Sequence, residues 1–399
     1  MRIYLDHNAG SPMRPAVLDA IAHLSVATHS NPASIHRAGQ RARRALEQAR
    51  EQVAALVGAA PRAIVFTSGG TESNNFALFG AARAADGKRK RIVTSAIEHS
   101  SVMAPLAELE GRGFEVTRRA PDSDGYIDPE VLAAAIHDDV GLVTVGLVNA
   151  EVGTIQEVAA IARAASRAGA LFHVDAAQAV GRIPVRIDDL GCDLMTISAH
   201  KIGGPAGIGA LYVRPGANLA PTMLGGPQEA GLRAGTPNLI GAIGFGVAAE
   251  AVSNAIEDER ARIEMLADAL LHHLLRTIPG LRLNGPRHAR VANTLNLTFP
   301  GVLGESMLIA LDLEGVEVSM GSACAAGAVE PSHVLTAMGL SAAEARSSLR
   351  ISLGWSTSVG EITQAVEIIA RVWRRVVDAE PADNVEVRAM SARVAEAAR

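Results

Sequence analysis

From about residue 60 to 215 the chain alternates short apolar runs with stretches whose apolar positions return every three to four residues. The short runs, at 63–67, 91–95, 114–118, 142–148, 171–174, 194–198 and 208–213, read as strands. Their length and their bounding turn formers fit strands buried on both faces. Between them, 72–85 and 158–168 carry helical periodicity. The alternation predicts an α/β fold whose mostly parallel, seven-stranded sheet is covered by helices. A long amphipathic segment at 34–57 ends at Gly58, a fitting helix C-cap, and 242–276 reads as another long helix.

After about residue 280 the texture changes. Strands at 295–299, 316–319 and 349–353 mix with helices at 305–311, 332–338 and 359–377, which predicts a smaller α+β domain. The expected organisation is a large domain over residues 15–255 and a small one built from 1–14 and 256–380. A polar, Ala-rich tail follows at 381–399.

With 48% apolar and 20% charged residues, the composition is that of an ordinary globular protein. A net charge of −5 gives no reason to expect nucleic acid or an anionic membrane as partner. The basic run at 88–91 precedes a strand and reads as a solvated loop. The longest apolar run, 239–249, is Gly-rich and well short of the ~20 residues of a membrane-spanning helix. The N-terminal MRIYLDHN lacks the apolar core of a secretory signal. Two cysteines cannot form a disulfide framework, which fits a reducing compartment, so the expected location is cytoplasmic.

One compositional fact narrows the chemistry. Of 37 basic residues only Lys88, Lys90 and Lys201 are lysine. Guanidinium stays protonated and cannot replace a nucleophilic amine. Lys88 and Lys90 belong to the basic run, whereas Lys201 stands alone in SAHKIGGPAGIGALYV. Lys201 is therefore the candidate for amine chemistry.

Several segments carry candidate chemistry. In FTSGGTESNN (66–75) a strand runs into Gly69-Gly70 and Thr71 opens a helix. This is either a plain strand–turn–helix junction or a phosphate cradle built from N–H groups at a helix N-terminus. Asp175, in LFHVDAAQAVG, follows directly on an apolar strand, at the end where open α/β sheets gather ligands. It reads equally as a helix N-cap or ion-pair partner and as a carboxylate that keeps a pyridinium protonated, with Gln178 one turn further on. Ser198, His200 and Lys201 arrive together at the end of another strand. Hydroxyl and imidazole suit a phosphate beside the imine that a partly unprotonated lysine forms with an aldehyde cofactor.

The remaining candidates are weaker alone. His99, in SAIEHSSV, sits at a strand mouth, where a structural histidine is the commoner outcome. Arg350 alternates with Leu349 and Ile351 and by itself reads as a surface arginine. Cys324 lies in VSMGSACAAGAVEPSHV, a run of small residues with little to contribute to packing, so a reactive thiol is expected. Cys192, just before a strand, is expected to be buried and inert.

Taken together, NPASIH, FTSGGTESNN, EHSSV, HVDAAQAVG, SAHK, RAGT, GSAC, EPSHVL and LRISLG resemble, in order and spacing, the cysteine desulfurases of the NifS/IscS type. These belong to the class V group of fold-type I pyridoxal-phosphate enzymes. The resemblance runs from YLDHNA near residue 4 to RISLGWST near 357. It implies the fold type I transferase architecture, with the large domain binding cofactor and the small one carrying the nucleophile loop. Pyridoxal 5'-phosphate would be held by Lys201 as an imine, with Asp175 on the pyridine nitrogen, Gln178 on the ring hydroxyl and His99 stacked on the ring. Gly70, Thr71, Ser198 and His200 would hold the phosphate, with Thr236 contributed by the partner subunit of a homodimer. Arg350, with Asn149, would bind the substrate.

Lys201 and His99 would move protons, and Cys324 would take sulfur from L-cysteine as a persulfide, leaving L-alanine. An iron–sulfur scaffold or another sulfur-acceptor protein is the implied partner, and no metal is expected. A selenocysteine lyase, another class V aminotransferase, and a catalytically silent sulfur-relay subunit are the neighbouring readings. The chain departs from the family pattern in three places. Asn149-Ala150 stands where two asparagines are common, so the second one's cofactor contact is missing or falls to Asn149. GGPQEAG carries Pro227 and Ala230 in place of Gly and Arg, and Gly10-Ser11 replaces two threonines.

Overall fold

The structure is a computed structural model that describes residues 2–24, 30–85, 87–321 and 330–379. Cys324 and the 381–399 tail lie outside the described residues. A seven-stranded sheet forms the centre, in the order Ile64–Thr67, Gly209–Val213, Leu194–Ser198, Leu171–Asp175, Val140–Gly146, Arg91–Ser95, Glu115–Arg119. Gly209–Val213 runs antiparallel to both of its neighbours and the other neighbouring pairs are parallel. All seven strands lie within two residues of the segments expected from the sequence. The inner strands are buried end to end, as in LMTIS at 194–198. A strand covered on both faces reads as an unbroken apolar run rather than an alternating one.

Helices cover both faces. Arg37–Val57 begins at His36, whose ring accepts from Gly39 N, and ends at Gly58 in the left-handed conformation at φ 69°. Gly58 N–H bonds back to the last turn. The helix turns Ala42, Leu46, Ala49 and Val53 into the main core, shared with the first half of Leu239–Thr277. That second helix is 39 residues long. By length and composition it would suffice to cross a membrane, yet many of its apolar residues pack inside the protein.

A second core lies at the other end of the same helix. Leu266, Leu270, Leu271 and Leu274 pack there against Thr294–Thr298, Ser348–Ser352 and the helix Val359–Ala379. Thr294–Thr298 pairs antiparallel with both Arg282–Asn284 and Ser348–Ser352. The N-terminal strand Ile3–Tyr4 joins this part of the molecule by pairing in parallel with Val316–Glu317. Further along, Val334, Leu335, Met338 and Ala345 return to the main core. The first fourteen residues thereby pass from the second core to the sheet, where Ser11 N donates to His200 O and Arg14 N to Gly203 O.

Candidate active site

Ser95, Gly146, Asp175 and Ser198 each end a strand of the central sheet, and all four line one cavity of about 450 Å³. That volume is typical of a small-molecule site. Parallel strands deliver their carboxyl ends to the same edge, which explains why residues far apart in sequence converge there.

One end of the cavity is an anion cradle. The helix Gly70–Ala84 starts at the sheet edge, and no side chain caps it. Its first N–H groups have no intrahelical partner and are open to an anion. Gly69 adopts φ 154°, a conformation glycine takes without steric cost. A Cβ on the neighbouring Gly209 would stand 2.7 Å from Gly69 Cα, so that strand also needs a glycine to let the turn approach. Thr71 and the Ser198–His200 pair, with Oγ and Nδ1 3.0 Å apart, complete the wall. Burial and the neighbouring Lys201 and Arg182 charges push His200 down to about 4, so it stands neutral.

Lys201 lines the same cavity. Its Nζ donates to Asn8 O at 2.5 Å and Ala9 O at 2.9 Å. Burial, then the charges of Arg182 and Arg350, pull the amine down from 10.5 to about 8. Across the cavity the Asp175 carboxylate accepts from Ala177 N at 3.0 Å and from Asn74 Nδ2 at 2.7 Å. Asn74 Nδ2 also donates to Ser101 Oγ at 2.8 Å. Ser101 Oγ lies 2.7 Å from His99 Nδ1, which also accepts from Ser101 N. Nδ1 is thereby an acceptor, which leaves the ring's proton on Nε2. Gln178 donates to Asn8 O at 3.0 Å, while its buried Oε1 has no partner among the described residues.

Arg350 is 2% exposed and lines the cavity, which replaces the surface reading its strand alternation suggested. It is drawn in by Asp6 at 2.8 Å and Ala150 O at 3.2 Å, and its buried Nε has no partner. Asn149 also lines the cavity, but its side chain is committed to backbone. It donates to Ile97 O at 3.1 Å and accepts from Glu151 N and Val152 N. Thr236 is exposed and stands apart from the cavity wall of its own chain. Cys192 is 2% exposed, and burial pushes its thiol up to about 12, as expected of an inert cysteine.

Four participants escaped the sequence reading. Asn8 joins the two cores: its carbonyl receives Lys201 and Gln178, while its side chain bonds Arg182, Asn293, Ala150 O and Thr294. Asn74 and Ser101 sit inside the quoted motifs, but only the fold shows that they face each other. Glu98, the neighbour of His99, is buried in the cavity wall. It accepts from Gly146 N at 2.8 Å and from Ser95 Oγ, and burial raises it to about 8.

Comparison with known proteins places the chain in a family. The chain matches the aminotransferase class-V family over residues 3–364. A relative from Dictyoglomus turgidum described as cysteine desulfurase IscS is 43% identical over 370 residues, covering 93% of this chain and 94% of that protein. A solved structure titled as a NifS-like protein superposes with a TM-score of 0.88 at 33% identity, covering 94% of this chain and 100% of the other. Another, titled SspA in complex with cysteine, gives 0.79 at 35% identity, covering 89% and 99%.

Proposed function

The chain belongs to the aminotransferase class-V family and is of the cysteine desulfurase kind; we propose that it binds pyridoxal phosphate at Lys201, takes sulfur from L-cysteine and holds it as a persulfide on Cys324. The observation that carries this reading is the placement of the Lys201 amine. It stands at the strand ends, in one cavity with an open anion cradle and the Asp175 carboxylate, with its basicity reduced to about 8. The residues present suit a planar pyridine with an anionic arm. The uncapped helix and Thr71, Ser198 and His200 fit the phosphate, Asp175 fits a ring N–H, and the partnerless Gln178 Oε1 and adjacent amide fit a ring substituent.

Bound there, pyridoxal phosphate supplies an aldehyde that condenses with amines and a ring that accepts an electron pair from the substrate carbon. Asp175 keeps the ring nitrogen protonated through a charge-assisted hydrogen bond. Arg350 receives the substrate carboxylate. Lys201, once released, takes the α-proton, and His99 offers the proton on Nε2. Cys324 attacks the substrate sulfur as a thiolate: an S–S bond forms, the C–S bond breaks, and its electron pair stays with the carbon that becomes alanine. Thiolate fraction and access set the rate of such an attack. The working unit is a homodimer in which Thr236 of one copy reaches the other's phosphate site. The sulfur then passes, in the cytoplasm, to an acceptor protein such as an iron–sulfur scaffold.

The test is direct. Purified protein incubated with L-cysteine should release alanine and carry one extra sulfur on the Cys324 peptide by mass. Borohydride should fix a cofactor-sized adduct to Lys201. An adduct on Lys88 or Lys90, or cysteine left intact by holoenzyme, would end this reading.

A further inference from the structure

Lys201 also lines a second, smaller cavity of about 40 Å³, whose wall includes Arg182. A space of this size holds only a few waters. The other cations nearby have carboxylate partners. Arg14 is held by both oxygens of Glu259 at 2.6 and 2.8 Å, Arg260 by Glu257 at 3.1 Å, and Arg350 by Asp6 at 2.8 Å. Arg182 has none among the described residues. Its guanidinium donates to Gln178 O at 3.0 Å, His7 O at 3.4 Å and Asn8 Oδ1 at 3.0 Å, all neutral acceptors. Burial and Arg350 pull it down to about 9, which still leaves it charged at neutral pH.

Asn8 ties this cation to the amine: its side chain takes Arg182 while its carbonyl takes Lys201. We propose that Arg182 is a positioning residue whose uncompensated charge enlarges the neutral share of the Lys201 amine, the form ready to bond a carbonyl carbon. A neutral amine has two N–H bonds, and the carbonyls of Asn8 and Ala9 match them, leaving its lone pair free. A third proton would add a second positive charge beside Arg182. The groups that face the amine divide by sign. Asp6 and Asp175 favour the protonated form, Arg182 and Arg350 oppose it, and burial opposes it most. His7 and His200, both pushed down to about 4 by burial, contribute no charge at neutral pH. Since Asp6 is bound to Arg350, Arg182 tips the balance.

The proposal rests on Lys201 being the reactive amine, but its test needs no desulfuration. Full-length, cofactor-free protein is trace-labelled with acetic anhydride across pH 6–11, and the three lysines are compared by mass in one digest. Lys201 should reach half-maximal labelling near pH 8. In Arg182→Met the Lys201 midpoint should rise by about one pH unit, the effect of removing one nearby like charge. At pH 7 that is about tenfold less label on Lys201. Arg182→Lys, which keeps the charge, should restore most of it. Protection of Cys192 from thiol reagents reports whether each variant folds, and Arg182→Gln, which can still donate to Asn8, replaces the Met variant if that one does not. An unmoved Lys201 midpoint in a folded Arg182→Met or Arg182→Gln protein overturns the proposal, as does an Arg182→Lys protein that behaves like the neutral variants. Failure of the desulfurase reading would show only in the alanine assay.

Discussion

The Asn74 amide donates to the Asp175 carboxylate at 2.7 Å, and the same nitrogen reaches Ser101 at 2.8 Å, so one side chain couples the half-buried acid to the serine that holds His99. Hydrogen bonds to charged groups are worth about 1.5–3 kcal/mol. Asn74→Ala should therefore lower unfolding free energy by about that amount in urea titration. It should also slow alanine release, because it frees both Asp175 and the His99 tautomer. A variant of unchanged stability would show that Asp175 finds another donor.

The two cysteines should separate cleanly. Cys192 is buried beside an apolar strand, so iodoacetamide should modify it only on unfolding. Cys192→Ser should keep most activity. Cys324→Ser should keep its cofactor colour yet yield neither persulfide nor alanine at a useful rate. Normal desulfuration by that variant would move the chain to the lyase or aminotransferase side of its family.

Glu98 should make stability depend on pH with an unusual sign. Burial, with Asp175 nearby, raises the folded carboxyl from 4.5 to about 8. Between those values the folded protein holds a proton that the unfolded chain has lost. Its contribution is full below pH 4.5 and disappears as pH rises through 8. Melting temperature should fall across that window in the wild type and much less in Glu98→Gln, which keeps the neutral shape.

Ala230 occupies φ 55° and ψ 28°, a left-handed conformation that costs any residue with a Cβ. The turn is held by its neighbour Glu229, which binds Arg50 through both oxygens and accepts from Phe66 N. Ala230→Gly should relieve the strain and stabilise the protein by about 1 kcal/mol, seen as a higher urea midpoint. A lower midpoint would mean that glycine's extra freedom in the unfolded chain outweighs the relief.

Much of the sheet was legible because its strands are buried on both faces, so apolar runs and turn formers mark them without help from neighbours. The lysine was legible because it is scarce. Arg350 was misread alone because alternation reports which side of a strand is apolar, not whether the other side faces water. Here the other side faces a cavity, and Arg350 pairs with Asp6 from the chain's first residues. Asn8 and Arg182 were invisible for a related reason. Their roles depend on contacts across more than 170 residues of sequence, as Asn8 with Arg182 shows. No local pattern encodes those meetings.

The pairing of Ile3–Tyr4 with Val316–Glu317 has a consequence for how the protein is made. Contacts of such sequence separation are slow to form, and during synthesis they cannot form at all until the later strand leaves the ribosome. The main core draws largely on residues between Val17 and Val252, so its central sheet can close early. The N-terminal strand must wait, unpaired, for roughly three hundred residues to follow it. Asn8 and Ala9, which hold the Lys201 amine, sit just beyond that waiting strand. Lys201 thus gains its two carbonyl partners in their final place only after nearly the whole chain has been translated, and a truncated product would carry the sheet without them.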